Sequence, residues 1–100
     1  MPVPAYVIND MEITDPQRFE EYKRLSPPTV AAYGGRFLAR GGEVTALEGG
    51  WQPRRLVMLE FPSVEQAQAW LNSPEYAPAR TLRQLSANSR MVVIEGTPPL

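Results

Sequence analysis

Arg40 and Glu60 are the side chains in this chain whose types and positions best suit chemistry. A guanidinium grips a carboxylate or enolate through two parallel hydrogen bonds, and a nearby carboxylate in a dry setting serves as acid or base. Burial would raise the Glu60 pKa towards a useful range, and a neighbouring Arg40 would push it the other way. The equal alternative is a structural salt bridge that holds a hairpin together. Around this pair we place Trp51, Arg55, Tyr33 and Tyr76 as ligand-binding candidates. Trp51 sits after Gly49-Gly50, where an indole is expected to cover a pocket or a partner subunit. Of Arg54 and Arg55, one is expected to pair at the surface, with Glu48 as the candidate partner, and the other to turn inward as an anion contact. The Tyr33 and Tyr76 hydroxyls fall at helix ends, where they more often tether loops than catalyse. Gly34-Gly35 and Gly41-Gly42 lack the helix-leading turn and lysine of a phosphate loop.

Composition removes many mechanisms. The chain has no histidine and no cysteine, so it lacks the commonest general base, the usual haem and zinc ligands, and any thiolate, disulfide or Ser-His-Asp triad. No cofactor and no metal site are expected. Ten basic and eleven acidic residues give a net charge of -1, which offers no field to draw in nucleic acid or an anionic membrane. No apolar run approaches the ~18 residues of a membrane span, and the first residues lack the pattern of a secretion signal. A cytoplasmic location is the expectation. The 100 residues amount to one domain, and a lone domain of this size buries only roughly 60 to 65% of its unfolded surface. Burial against a second copy is therefore expected to add stability.

The elements that must position these residues follow from pattern. Ala5 to Ile13 begins apolar throughout and then alternates, which predicts a central strand with a wetter far end. Thr14-Asp15-Pro16-Gln17 predicts a capped helix start with Thr14 as cap. Phe19, Tyr22 and Leu25 lie on the inner side of that helix, Pro27-Pro28 interrupts it, and a short piece from Thr29 ends at Gly34 in a left-handed cap. Arg36 to Arg40 reads as a strand that bends at Gly41-Gly42 and resumes through Val44 to Leu47. Arg54 to Phe61 is the clearest strand. Ser63 caps a helix carrying Ala67, Trp70 and Leu71 inward. Ser73 caps a second helix, with Pro74 in its first turn, running to Ser86. Met91 to Glu95 closes the domain, and 97–100 is a tail.

Strand, helix, strand, strand, helix, strand is the order of a ferredoxin-like α+β domain: a four-stranded antiparallel sheet with its helices on one face. Alternation puts Phe37, Ala39, Val57, Leu59 and Phe61 under the helices. It puts Arg36, Leu38, Arg40, Leu56, Met58 and Glu60 on the open face, where Arg40 would meet Glu60. An open face mixing methylenes with charges suits packing on another sheet around a partly polar cavity.

Several motifs recur together in this order: Tyr33-Gly34-Gly35-Arg36-Phe37-Leu38, Arg40-Gly41-Gly42, Glu48-Gly49 with Trp51, Arg55, Glu60-Phe61-Pro62-Ser63, Ala67 with Trp70, and Ser73-Pro74-Glu75-Tyr76. Across nearly the whole chain they resemble the small DUF1330 proteins of the dimeric α+β barrel superfamily. Leu71 departs from the pattern, where an aromatic residue is expected after Trp70. The resemblance implies one ferredoxin-like domain over 1–96 whose sheet packs on that of a second subunit, enclosing a pocket. It implies no activity, and chemistry borrowed from cofactor-free monooxygenases, muconolactone isomerase-like enzymes or haem enzymes of the superfamily would be analogy from fold. The resulting expectation is a cytoplasmic homodimer that binds a small carboxylate or carbonyl metabolite, with cofactor-free acid/base chemistry as an option. The alternatives are a non-catalytic regulatory module and a purely structural dimer. An RNA-binding role is disfavoured by the missing aromatic pattern on the sheet and by the charge.

Overall fold

In the computed structural model, which describes residues 3–98, the chain runs β1 (Ala5–Ile13), α1 (Pro16–Ala32), β2 (Arg36–Arg40), β3 (Arg55–Phe61), α2 (Val64–Leu71), α3 (Ala77–Ser86) and β4 (Ala87–Glu95). The sheet order is β2-β3-β1-β4, with every neighbouring pair antiparallel. This is the ferredoxin-like α+β arrangement, with helices covering one face. The expected tail falls partly outside the described residues: Thr97 and Pro98 carry no regular structure, and Pro99 and Leu100 lie beyond them.

β1 is buried on its covered side: Val7 and Met11 belong to the core with Phe19, Val57, Leu59, Phe61, Trp70 and Tyr76, and Asn9 is a buried polar residue between them. Fully burying an aliphatic or phenyl side chain of this kind stabilises by roughly 1.5–3 kcal/mol. Phe61, Trp70 and Tyr76 continue as a stack of rings, with centroids 5.3 and 4.2 Å apart. The Trp70 Nε1–H, which burial obliges to find an acceptor, donates to Thr29 Oγ1 at 3.1 Å.

Helix starts and stops differ in detail from the expectation. Asp15, not Thr14, caps α1, its Oδ1 accepting from the Arg18 backbone N–H at 3.2 Å, while the Thr14 N–H is taken by Ser86 O. Ser63 caps α2 as expected. Ser73 Oγ accepts from the Tyr76 N–H, but the segment 74–76 forms a turn and α3 begins only at Ala77. At the far end of α1, Gly34 adopts φ +76°, and the Gly34 and Gly35 N–H groups reach back to Ala31 O and Val30 O. That double return closes the helix in a left-handed glycine cap.

The largest departure in α1 is that Pro27 and Pro28 do not interrupt it. A proline inside a helix removes the hydrogen bond to the residue four positions back and costs about 3 kcal/mol. Here Ser26 and Val30 are buried on either side of the prolines and anchor the helix to the sheet. The Lys23 carbonyl, which Pro27 leaves without its amide donor, accepts instead from Arg40 Nη2 at 2.5 Å. Tertiary packing and one borrowed donor carry the helix through.

The expected resumption of strand at Val44 to Leu47 does not occur. Residues 41–54 form a long irregular loop with Leu47 95% exposed and Trp51 60% exposed. Gly49 and Gly50 are both at positive φ, a backbone conformation that a continuing strand does not use. β4 is longer than expected because Ala87 to Arg90 continue the ladder along the polar end of β1.

Candidate functional site

The strand β2 decides where the site lies. Arg36 pairs with Glu60 and Phe37 with Leu59, but Ala39 pairs with Met58 and Arg40 with Val57. Leu38 is therefore an extra residue in a β-bulge, and beyond a bulge the side chains exchange faces. The bend falls at Leu38 rather than at Gly41-Gly42. Ala39 consequently points to the open side, where it is exposed, and Arg40 turns under the helices.

The expected meeting of Arg40 and Glu60 is thereby corrected: the two lie on opposite faces of the sheet. Glu60 is engaged on the open face by Arg36, whose Nε donates to Oε1 at 2.8 Å. Tyr6 is the cross-strand neighbour of Glu60 on its other side. The Tyr6 phenol is pushed up from its ordinary value, first by burial and then by Glu60.

On the covered face, Arg40, Val57, Asn9 and Met91 form one line across the four strands, each paired in register with the next. Arg55 lies two residues along β3 from Val57, on the same side. All five line a cleft between sheet and α1, with Phe19, Tyr22 and Trp70 among its walls. The enclosed part has a free volume of about 20 Å³, room for one water-sized group. Outward it widens into a mouth of about 690 Å³ bordered by Glu20, Lys23, Arg24, Arg40 and Arg55.

That mouth is strongly cationic, with one carboxylate against four positive side chains. Glu20 is already paired with Lys23 at 2.8 Å, and Arg24 leans towards Glu21 at 3.8 Å. Neither Arg40 nor Arg55 has a carboxylate within ion-pair distance among the described residues. Each rests on a ring instead: Arg40 lies 4.7 Å from the Phe37 centroid and Arg55 5.3 Å from that of Phe19. Such contacts favour a cation and, apart from the Arg40 Nη2 bond to Lys23 O, leave N–H groups available. The Arg55 pKa is lowered, first by burial and then by the charge of Arg40. Two like charges held together in a partly dry place favour an anion between them.

Gly41 makes this arrangement possible. It adopts φ +71°, its N–H donates to Leu56 O at 3.0 Å, and the Arg55 guanidinium lies where a Cβ on Gly41 would stand. A side chain there would meet both backbone strain and a clash.

Deeper in, Asn9 Oδ1 and Arg55 Nε are buried without hydrogen-bond partners among the described residues. The Tyr22 hydroxyl lies 2.8 Å from that of Tyr76, which accepts from Arg83 Nε at 3.2 Å, so α1 and α3 are joined by a buried polar chain. Burial above all raises the Tyr22 pKa far above its ordinary value.

Among the residues singled out from sequence, Arg40 and Arg55 come together in the cleft. Tyr76 lies behind its wall as the partner of Tyr22. Tyr33 stands apart and ties α1 to the turn before α3 by donating to Glu75 Oε1 at 2.5 Å, the main cause of its raised pKa. Trp51 stands in the exposed loop, away from the cleft, and Arg54 pairs with Glu12 at 3.3 Å rather than with Glu48. Sequence reasoning missed Asn9, Tyr22 and Arg83. Asn9 carried a usable signal, since it shares the parity of Val7 and Met11 on the apolar side of β1. Among the described residues no cluster of His, Cys, Asp or Glu is placed to hold a metal, and no helix is long and apolar enough to cross a membrane.

Comparison with known proteins agrees with the fold. The profile of a family described as "Domain of unknown function (DUF1330)" matches residues 4–97. No curated protein matches the chain. A protein of unknown function from Rhodopseudomonas palustris superposes with a TM-score of 0.77 at 20% identity, covering 99% of this chain and 86% of its own. SnoaB, a cofactor-independent oxygenase from Streptomyces nogalater, gives 0.66 at 16% identity, covering 98% and 97%. A hypothetical protein from Arabidopsis thaliana gives 0.62 at 19% identity, covering 99% and 89%. At these identities the likeness is one of fold.

Proposed function

The chain belongs to the DUF1330 family, a family defined without an activity, and on that premise we propose that it binds a small carboxylate in the cleft between α1 and the sheet. The observation that carries this reading is the convergence of Arg40 and Arg55, neither with a carboxylate partner among the described residues, at the mouth of the cleft. An anion there relieves their mutual repulsion and takes hydrogen bonds from two guanidinium forks. Glu60 has no part in it, being held by Arg36 on the other face. The oxygen acids nearest the ligand are Glu20, paired with Lys23, and the Tyr22 hydroxyl, tied to Tyr76. Binding, rather than proton transfer, is what this arrangement serves.

Self-association through the open face belongs to the same reading. Leu38, Val92 and Ile94 are exposed there beside Ile8 and Met58, and ion pairs Arg36–Glu60, Arg54–Glu12 and Arg90–Asp10 border them. An apolar centre with a polar rim is the make-up of a protein interface. The partner we propose is a second copy of the chain, sheet against sheet.

Calorimetric titration with hexanoate tests the binding claim. Saturable binding is expected, weakened about tenfold or more by Arg40→Ala, since a charge-assisted hydrogen bond is worth roughly 1.5–3 kcal/mol. Arg36→Ala should leave it unchanged. Equal loss from both variants, or no binding by the unaltered protein, would remove the assignment.

A further inference from the structure

The mouth of the cleft has two walls, and each brings cations to it. β2 and β3 supply Arg40 and Arg55, while α1 supplies Lys23 and Arg24, with Glu20 one turn earlier. Positions three and four apart on a helix share a face, so the grouping of Glu20, Lys23 and Arg24 is built into the sequence. The walls meet at two points: Arg40 Nη2 donates to the Lys23 carbonyl, and the Arg55 guanidinium rests over the ring of Phe19 on the same helix. The mouth has a volume of about 690 Å³ against about 20 Å³ in the enclosed part, so a ligand of several carbons lies wholly in the mouth.

Charge decides what kind of ligand suits it. Among the described residues, the carboxylates that reach these four cations are Glu20, on Lys23 at 2.8 Å, and Glu21, on Arg24 at 3.8 Å. Four positive charges against two negative leave an excess of two, and a single carboxylate balances only half of it. The two ion pairs are also unequal. Lys23 is held close, whereas Arg24 and Glu21 stand near the limit of pairing with side chains 71% and 53% exposed. An exposed pair of that kind restrains its arginine weakly. Arg24 is therefore the cation that can turn to a second anionic group.

We propose that the ligand is a short dicarboxylate, with one carboxylate taken by Arg40 and Arg55 and the other by Arg24 across the mouth. This rests on the carboxylate reading above and adds the second acid group and the residue that receives it. The planar guanidinium of Arg24 suits a carboxylate through two parallel hydrogen bonds. A phosphate would bring a similar charge concentrated at one point, whereas the cations stand on two walls.

The test titrates malonate, succinate, glutarate and adipate, each beside its own monomethyl ester, into the intact protein at fixed ionic strength. At least one acid is expected to bind about fivefold more tightly than its ester, the contribution of one favourable exposed ion pair, which exceeds the doubling that two identical ends give by statistics. Added sodium chloride should shrink that advantage. Arg24→Gln should remove it, and because Arg24 is exposed its loss does not threaten the fold. Arg18→Gln, which alters a cation of α1 outside the mouth that is paired with Asp15, should leave the advantage intact. If every acid matches its ester apart from the statistical doubling, the second carboxylate is wrong and the carboxylate reading stands. If neither acids nor esters bind, both fall. Inorganic phosphate binding more tightly than every dicarboxylate, or equal losses from Arg24→Gln and Arg18→Gln, would also overturn the proposal.

Discussion

Arg36 and Arg40 stand at the two ends of one five-residue strand, yet they finish on opposite faces of the sheet and in opposite chemical situations. Both side chains reach solvent, but Arg36 is paired with Glu60. Arg40 is turned under α1, bonded to a backbone carbonyl, stacked on Phe37 and close to a second arginine. The difference comes from Leu38 alone, because one extra residue in the ladder exchanges the faces of everything beyond it. An arginine in an ion pair is satisfied. An arginine whose oxygen partner among the described residues is a carbonyl that a proline left free still has donors to offer a ligand.

The same contrast holds for the two faces as wholes, and substitutions should separate them. The largest effect is expected on the covered side: Phe61→Ala, which removes a ring packed on Trp70, should lower unfolding stability by about 3–5 kcal/mol. Ile94→Ala on the open side should cost a dilute protein under 1 kcal/mol while weakening self-association. Urea unfolding and sedimentation measure the two quantities, and an equal cost in unfolding would erase the distinction between faces. Next in size is Gly41→Ala, where positive φ and the guanidinium of Arg55 together should cost about 1–3 kcal/mol and weaken carboxylate binding as well. Normal stability with normal binding would mean that Arg55 does not lie against Gly41.

A smaller effect is expected from Tyr22→Phe, about 1 kcal/mol at neutral pH for the bond to Tyr76. Its sign with pH is fixed by burial. The folded Tyr22 pKa is raised above the ordinary 10.0, so its contribution is complete below that value and is lost as pH rises beyond it, where the unfolded chain gives up the proton first. Tyr22→Phe should therefore flatten the alkaline decline of stability from about pH 10 upward. An unchanged decline would show that the hydroxyl is not buried.

Much of this was legible in the sequence, and the exceptions share a cause. Alternation in β1 and β3 fixes which side of each is buried, because period-two patterning is a local property of one strand. The caps at Ser63 and Gly34 are local too. The bulge at Leu38 is not: it exists only in the pairing between β2 and β3, and nothing in Arg36-Phe37-Leu38-Ala39-Arg40 marks which residue is extra. The continuity of α1 through Pro27-Pro28 depends on Arg40, which arrives from another element. Misplacing one bulge therefore misplaced Arg40 and, with it, the cleft. Asn9 stands out in the sequence as a polar residue at the parity of Val7 and Met11.

The central claim is that the guanidinium groups under the helices, not those on the open face, receive a carboxylate. Side-chain Nε–Hε resonances of the arginines, followed by NMR during titration with hexanoate, test it directly. The account predicts saturable shifts at Arg55 and Arg40, with Arg36, Arg54 and Arg90 unmoved. Shifts confined to the open-face arginines, or spread evenly over all of them, would contradict it.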